Sequence, residues 1–146
     1  MSGLVAFRGI LRLRGAVATR LAFLAYPGNT ATIKSCADVS SGGTPSPAGQ
    51  KPQFRIASPP AGSNVFLVAS VLPYGGPGTY GKAAIRSGGG ASITVGTATY
   101  NPLGPAATAS VTIRSSGGGT FTFRNATAAD PAGRPLSGSV SWECSG

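Results

Sequence analysis

Within residues 115–146 two short runs, joined by a polar connection, alternate apolar and polar residues one by one, and this period favours strand over helix. Phe121 and Phe123 fall on one side of the first run, with Thr120, Thr122 and Arg124 on the other. In the second run Val140, Trp142 and Cys144 share a side opposite Ser139, Ser141 and Glu143. A two-residue repeat is the mark of a strand with one face buried. The only Trp of the chain therefore shares a face with one of its only two cysteines. Trp142 is expected in the core, beside whatever Cys144 is bonded to.

Residues 4–25 carry the same period. Val5, Phe7, Leu11, Leu13, Val17, Leu21 and Phe23 are all odd, whereas Arg8, Arg12, Arg14 and Arg20 are all even. A helix would spread those arginines around its circumference, but strands place them on one face. Two consecutive strands are predicted, about 4–13 and 16–25, turned near Arg14-Gly15, with Gly9 and Gly15 interrupting the apolar set. The segment is too charged to span a membrane. Arg20 interrupts the apolar run that a signal peptide needs, and no small-x-small cleavage site follows. A secreted form is thus expected to need a leader upstream of this sequence.

The rest of the chain is punctuated by Gly and Pro. A strand is predicted at about 30–37, carrying Ile33 and Cys36. Residues 40–52 read as a flexible polar loop without an apolar anchor. Strands follow at 53–57 and at 65–72, the latter apolar on both parities as in a strand covered on both sides. A weak strand at 82–86 and strands at 91–99 and 107–114 complete the set, with turns at 58–64, 73–80, 100–105 and 117–119. About nine or ten short strands result, and no capped helix of ten residues. The prediction is an all-β protein, an antiparallel β-sandwich of immunoglobulin-like or jelly-roll-like type, forming one domain over residues 1–146.

Composition restricts the chemistry. Twelve Lys and Arg oppose three acidic residues, for a net charge of +9, and there is no histidine. Excess positive charge favours anionic partners, such as an acidic glycan or an anionic envelope surface. A nucleic-acid partner is not expected, because no recognised module is present. Without histidine there is no Ser-His-Asp or Cys-His arrangement. Asp38 and Glu143 flank the two cysteines and are the one carboxylate pair that could be neighbours, but surface charge at strand ends is the plainer account. Two cysteines and three scattered carboxylates make neither a zinc nor a calcium site. No enzyme activity, metal or cofactor is therefore expected. Cys36 and Cys144 suggest one disulfide and an oxidising compartment, with two free buried thiols as the alternative. A bridge would close a loop of about 108 residues, for which chain entropy gives roughly 4–5 kcal/mol.

Gly76, Gly78 and Gly81 match G-x-G-x-x-G, and Gly76, Gly81 and Lys82 match the frame of a P-loop. Both motifs need a following helix, and the P-loop also needs Ser or Thr where Ala83 stands. A glycine-rich turn clasped by Tyr74 and Tyr80 is the better account. Tyr26, Tyr74, Tyr80 and Tyr100 all lie at or beside turns. They are candidate binding contacts, though tyrosines at such places also seal the ends of a sandwich. Asn125-Ala-Thr127 is a formal glycosylation sequon.

Three phrases carry a resemblance: Tyr74-Gly-Gly-Pro-Gly-Thr-Tyr80, Gly117-Gly-Gly-Thr-Phe-Thr-Phe-Arg-Asn125 and Ser137-Gly-Ser-Val-Ser-Trp-Glu-Cys144. They are similar to phrases of small secreted proteins and lipoproteins of actinobacteria and comparable GC-rich bacteria. The resemblance implies a β-sandwich outside the membrane with a terminal disulfide, and assigns no functional residues. The resulting expectation is a secreted or cell-envelope module with a non-enzymatic binding or structural role. Its alternatives are a virion or filament subunit, and a basic module that binds glycan or nucleic acid through Arg8, Arg12, Arg14 and Arg20.

Overall fold

The computed structural model describes residues 5–26, 33–45, 49, 51–58, 64–129 and 133–146. Ten strands and two short helices follow in chain order: β1 (Ala6–Gly15), β2 (Thr19–Ala25), α1 (Cys36–Gly42), β3 (Phe54–Ser58), β4 (Val65–Val71), β5 (Gly78–Tyr80), α2 (Lys82–Ser87), β6 (Ala91–Val95), β7 (Ala98–Asn101), β8 (Thr108–Ile113), β9 (Gly119–Ala128) and β10 (Leu136–Ser145). All the pairings are antiparallel. One layer runs β2-β1-β10-β9-β8-β5 and the other runs β3-β4-β6-β7. They are continuous through β9, whose last residues Thr127 and Ala128 leave the first layer and pair with Asn101 and Tyr100 of β7. Strands β2 and β3, the two ends of this path, approach each other across the remaining seam, so the sheet is nearly closed.

The all-β antiparallel fold expected from alternation is the one observed. Phe7, Leu11, Leu13 and Phe23 point inward from the first hairpin, and Arg8, Arg12, Arg14 and Arg20 point outward. Phe121, Phe123, Val140 and Trp142 are buried, as their parity requires. The buried residues of both layers form one cluster. Phe7 and Trp142 of one layer meet Phe54 of the other, with ring centroids 5.9 and 6.0 Å from it.

Strand register explains three glycines that look like interruptions in the sequence. Across β2, β1, β10, β9 and β8 one inward row reads Phe23, Gly9, Trp142, Gly119, Ile113. Large and small residues alternate along it. A Cβ on Gly9 would lie 2.5 Å from the Phe23 ring, and one on Gly119 would lie 2.7 Å from the Trp142 ring. The next such row places Gly138 between Leu13 and Phe123. These glycines are slots into which neighbouring rings fold, which is how a core reaches crystal-like density.

The disulfide joins Cys36 at the start of α1 to Cys144 near the end of β10, with Cα atoms 5.9 Å apart. Gly117 packs against it, and the Gly117 carbonyl accepts the Trp142 indole N–H at 3.1 Å. Gly117–Gly119 therefore do more than turn the chain: they lie over the Trp142 and Cys144 side chains.

Four local expectations are corrected. The strand at 30–37 is not formed over its described part, because Ser35 caps α1 by accepting the Asp38 amide at 3.3 Å. The Asp38 carboxylate in turn accepts the Lys34 amide at 2.8 Å. The loop at 40–52 does have anchors: Val39 and Ser40 are buried, and Thr44 bridges to Gln53. Residues 46–48 and 50 lie outside the described residues, as do residues 59–63 of the predicted turn at 58–64. The weak strand at 82–86 is α2, built from helix-favouring Lys, Ala and Arg around a fully buried Ile85. The strand at 91–99 is a hairpin of β6 and β7, with Val95 opposite Ala98. Its two-residue loop needs a positive φ at the first position, which Gly96 supplies at 61°.

Two substitutions in the same inward row test the packing. Trp142→Ala is expected to cost roughly 3–5 kcal/mol. Gly119→Ala, which overfills the row, is expected to cost about 1–3 kcal/mol. Urea unfolding of the oxidised protein measures both; a near-neutral Trp142→Ala would place that ring outside the core.

Candidate functional site

Exposed cationic side chains collect on the outer face of the six-stranded layer. Arg8, Arg12, Arg14 and Arg20 are all exposed there. Register puts Arg12 directly opposite Arg20, and Arg8 between Leu24 of β2 and Glu143 of β10. Arg124 on β9 is also exposed on this face, at the bulge opposite Ser137, and Ser137 in turn pairs with Arg14. Its even position beside Thr120 and Thr122 was the sequence signal for that placement. None of these five guanidinium groups bonds to another described residue. Among the described residues the one salt bridge is Arg114 to Glu143, at 2.8 Å. The face thus presents several unneutralised cations and a single carboxylate that is already engaged.

The remainder of this face is hydroxyl-rich. Ser139 and Ser141 of β10, Thr120 and Thr122 of β9, and Ser110 and Thr112 of β8 point outward in register. At the far edge the hydroxyls of Thr79 and Thr112 hydrogen-bond at 3.0 Å. Between Arg8 and Arg12 a depression of about 330 Å³ opens over Ile10, bounded also by Ser141 and Glu143. A more polar groove of about 470 Å³ lies on the four-stranded layer, around Gly88–Gly90, Ser92 and Arg55.

The tyrosines are placed differently. Tyr74 and Tyr100 are buried, so neither offers a ring face to a surface ligand. Tyr74 packs on Phe54 and donates its hydroxyl to the Ser40 carbonyl of α1 at 2.6 Å. Tyr80 clasps the glycine turn: its hydroxyl donates to the Gly76 carbonyl at 2.5 Å and accepts the Gly75 amide at 3.0 Å. Tyr74 and Tyr80 pack against each other, with ring centroids 5.7 Å apart, whereas Tyr100 lies in β7 between Ile93 and Ala128. Only Tyr26, 58% exposed, remains available as an aromatic contact.

The glycine motif has a structural occupation too. A helix does follow Gly81, contrary to expectation, but α2 is six residues long. Lys82 at its start donates to the carbonyls of Gly104 and Ala107, at 2.9 and 2.7 Å, and so pins the β7–β8 connection. The ammonium that a P-loop would direct at phosphate is already engaged. Asp38 and Glu143 are likewise engaged in separate interactions, one accepting the Lys34 amide at the α1 cap and one paired with Arg114. Asp130 lies outside the described residues. Among the described residues no three metal-ligating side chains cluster.

Burial pushes the Tyr74 phenol up to about 12, with Tyr80 beside it adding to the rise. The folded state therefore holds this proton more tightly than the unfolded chain, whose phenols titrate near 10. The stability linked to Tyr74 is fully present below pH ~10 and is lost as pH rises through ~12. Alkaline titration of tyrosinate absorbance should show one phenol ionising last, and Tyr74→Phe should remove that step. The same substitution should cost about 1 kcal/mol at neutral pH for the lost bond to Ser40.

Comparison of the chain with protein-family models, with curated proteins and with solved structures found no match.

Proposed function

We propose that this chain is a secreted or cell-envelope binding module without enzymatic activity, which holds an acidic glycan or anionic envelope polymer against the outer face of its six-stranded layer. The observation that carries the proposal is the exposure of Arg8, Arg12, Arg14 and Arg20 on two adjacent strands, with no ion pair to another described residue. Like charges left opposite each other, as Arg12 and Arg20 are, destabilise a sheet. An anionic ligand relieves that repulsion, so the arrangement suits binding better than stability.

Location outside the cytoplasm is supported by the Cys36–Cys144 disulfide, since such bonds persist in oxidising compartments. No helix of the described residues is long and apolar enough to cross a membrane. The similarity of three of its phrases to secreted actinobacterial proteins points the same way.

A second reading, a subunit of a larger assembly, is favoured by one feature. Leu24 and Tyr26, the large hydrophobic residues exposed among those described, both lie on or beside the edge strand β2. An exposed apolar edge is a template for pairing with another chain. Sedimentation at high concentration separates the two readings: a stable monomer argues against assembly.

Retention of the oxidised protein on an immobilised acidic polysaccharide should fall steeply as salt rises, because each contact is an exposed charge pair. Arg12→Gln with Arg20→Gln should elute at clearly lower salt than the unaltered chain. Equal elution of the two would remove the arginine face from the proposal. Recovery of the protein from its native compartment with two free thiols would remove the location.

A further inference from the structure

The arginine face has a direction. Register aligns Ala22, Ile10, Ser141, Thr120, Thr112 and Thr79 in one outward row that crosses β2, β1, β10, β9, β8 and β5. One strand spacing of ~4.8 Å per step makes the row about 24 Å long. Longer side chains border it at one end. Leu24, Arg8 and Glu143 lie along one side, and Arg20 and Arg12 along the other. The depression of about 330 Å³ is where Ile10 lies between Arg8 and Arg12. From there the row passes from an apolar floor to hydroxyl groups.

We infer that this depression and the row leading from it form a subsite for a linear polysaccharide whose sugars carry carboxylates. This rests on the arginine-face reading and names its ligand class. A sugar ring has an apolar face and a rim of hydroxyls. Over Ile10 the apolar face covers the isoleucine side chain, and a carboxylate on the ring meets Arg8 or Arg12 in the bidentate geometry that guanidinium favours. The hydroxyls of that sugar and the next meet Ser141 and Thr120, and the free lone pairs of Glu143 accept from a further hydroxyl.

The same features disfavour other polyanions. Single-stranded nucleic acid binds by stacking bases on aromatic rings. The aromatic rings of the described β1, β2, β9 and β10 residues all point inward, where they are buried. A bare phosphate chain meets the arginines and can accept from Ser141 and Thr120, but it has no apolar face to cover Ile10 and no hydroxyl to donate to Glu143. Charge and hydroxyl donors would hold every polyanion, whereas the apolar floor distinguishes those built from sugar rings.

The test uses the oxidised full chain and three probes: a linear polyuronate, the same polymer with its carboxylates methyl-esterified, and inorganic polyphosphate. Ser141→Phe fills the depression from the solvent face and leaves every charge in place. It is expected to weaken polyuronate binding about tenfold, the loss of one well-placed polar contact plus the apolar floor, and to weaken polyphosphate binding clearly less, because that chain does not cover Ile10. The esterified polymer should bind more weakly than the polyuronate to the unaltered chain. Thr120→Val, which keeps size and shape, gives a second polyuronate readout should Ser141→Phe fail to fold, with a loss of about threefold. Polyuronate binding untouched by both variants overturns the subsite. So does polyphosphate or single-stranded DNA bound as tightly as polyuronate, which leaves a plain cationic face standing. Failure to bind any of these polyanions at low salt removes the arginine-face reading itself, and the subsite with it.

Discussion

The pairing of the first strand with the last holds the rest of this protein in place. Ten consecutive residue pairs, from Ala6 with Ser145 to Gly15 with Leu136, join β1 to β10. This ladder puts Gly9 in the row beside Trp142, where the Phe23 ring folds over it, and Phe7 packs on both Trp142 and Phe54. It also places Arg8 and Arg12 beside the hydroxyls of β10. A contact between residues so distant in sequence carries a large loop-closure cost, which grows with the logarithm of the loop. The Cys36–Cys144 bond offsets part of that cost by tying α1 to the end of β10. Ion pairs add little beside it: among the described residues only Arg114 and Glu143 form one, on the surface, where such pairs contribute little.

The same ladder separates structure from recognition. Its inward residues alternate large and small so that rings fold over glycines, and its outward residues are mostly arginines and serines, with Ile10 and Glu143 among them. Nothing in the inner row requires arginine outside. Positions such as Arg12 and Arg20 can therefore follow the needs of a ligand, while Gly9, Gly119 and Trp142 can follow those of the core. The tyrosine end of the sandwich is different. Tyr74 links the β4–β5 connection to α1, and Tyr80 holds the glycine turn. Both are committed to the fold, so the aromatic residues that looked most like ligand contacts are the least available.

Several elements were misread for local reasons. Ser35-Cys36-Ala37-Asp38 has the S-x-x-D spacing of a helix cap, a signal that identifies α1 without any tertiary information. It was masked by the expectation that Cys36 belongs to a strand. Residues 82–87 are helix formers in a run too short to show a period, and burial of Ile85 decides their conformation. Gly96-Thr97 is a two-residue hairpin loop inside a β-favouring stretch, where a single glycine is easily taken for a bulge.

What the amino-acid sequence determined by itself is everything that depends on neighbours along the chain. Parity assigned Arg8, Arg12, Arg14 and Arg20 to one face and Phe121, Phe123, Val140 and Trp142 to the other, because consecutive side chains of a strand must point to opposite sides. The absence of histidine is likewise a property of the sequence alone, and it leaves no imidazole base or Ser-His-Asp arrangement. Only the tertiary structure decided register. Which glycine lies under Trp142 depends on the β9–β10 pairing, and which hydroxyl continues the row from Ile10 and which strand stands between the arginines and Thr120 depend on pairings between residues more than a hundred positions apart. Alternation is a local steric consequence of the extended chain. Register is chosen by the packing of side chains across strands, and no single strand contains that information.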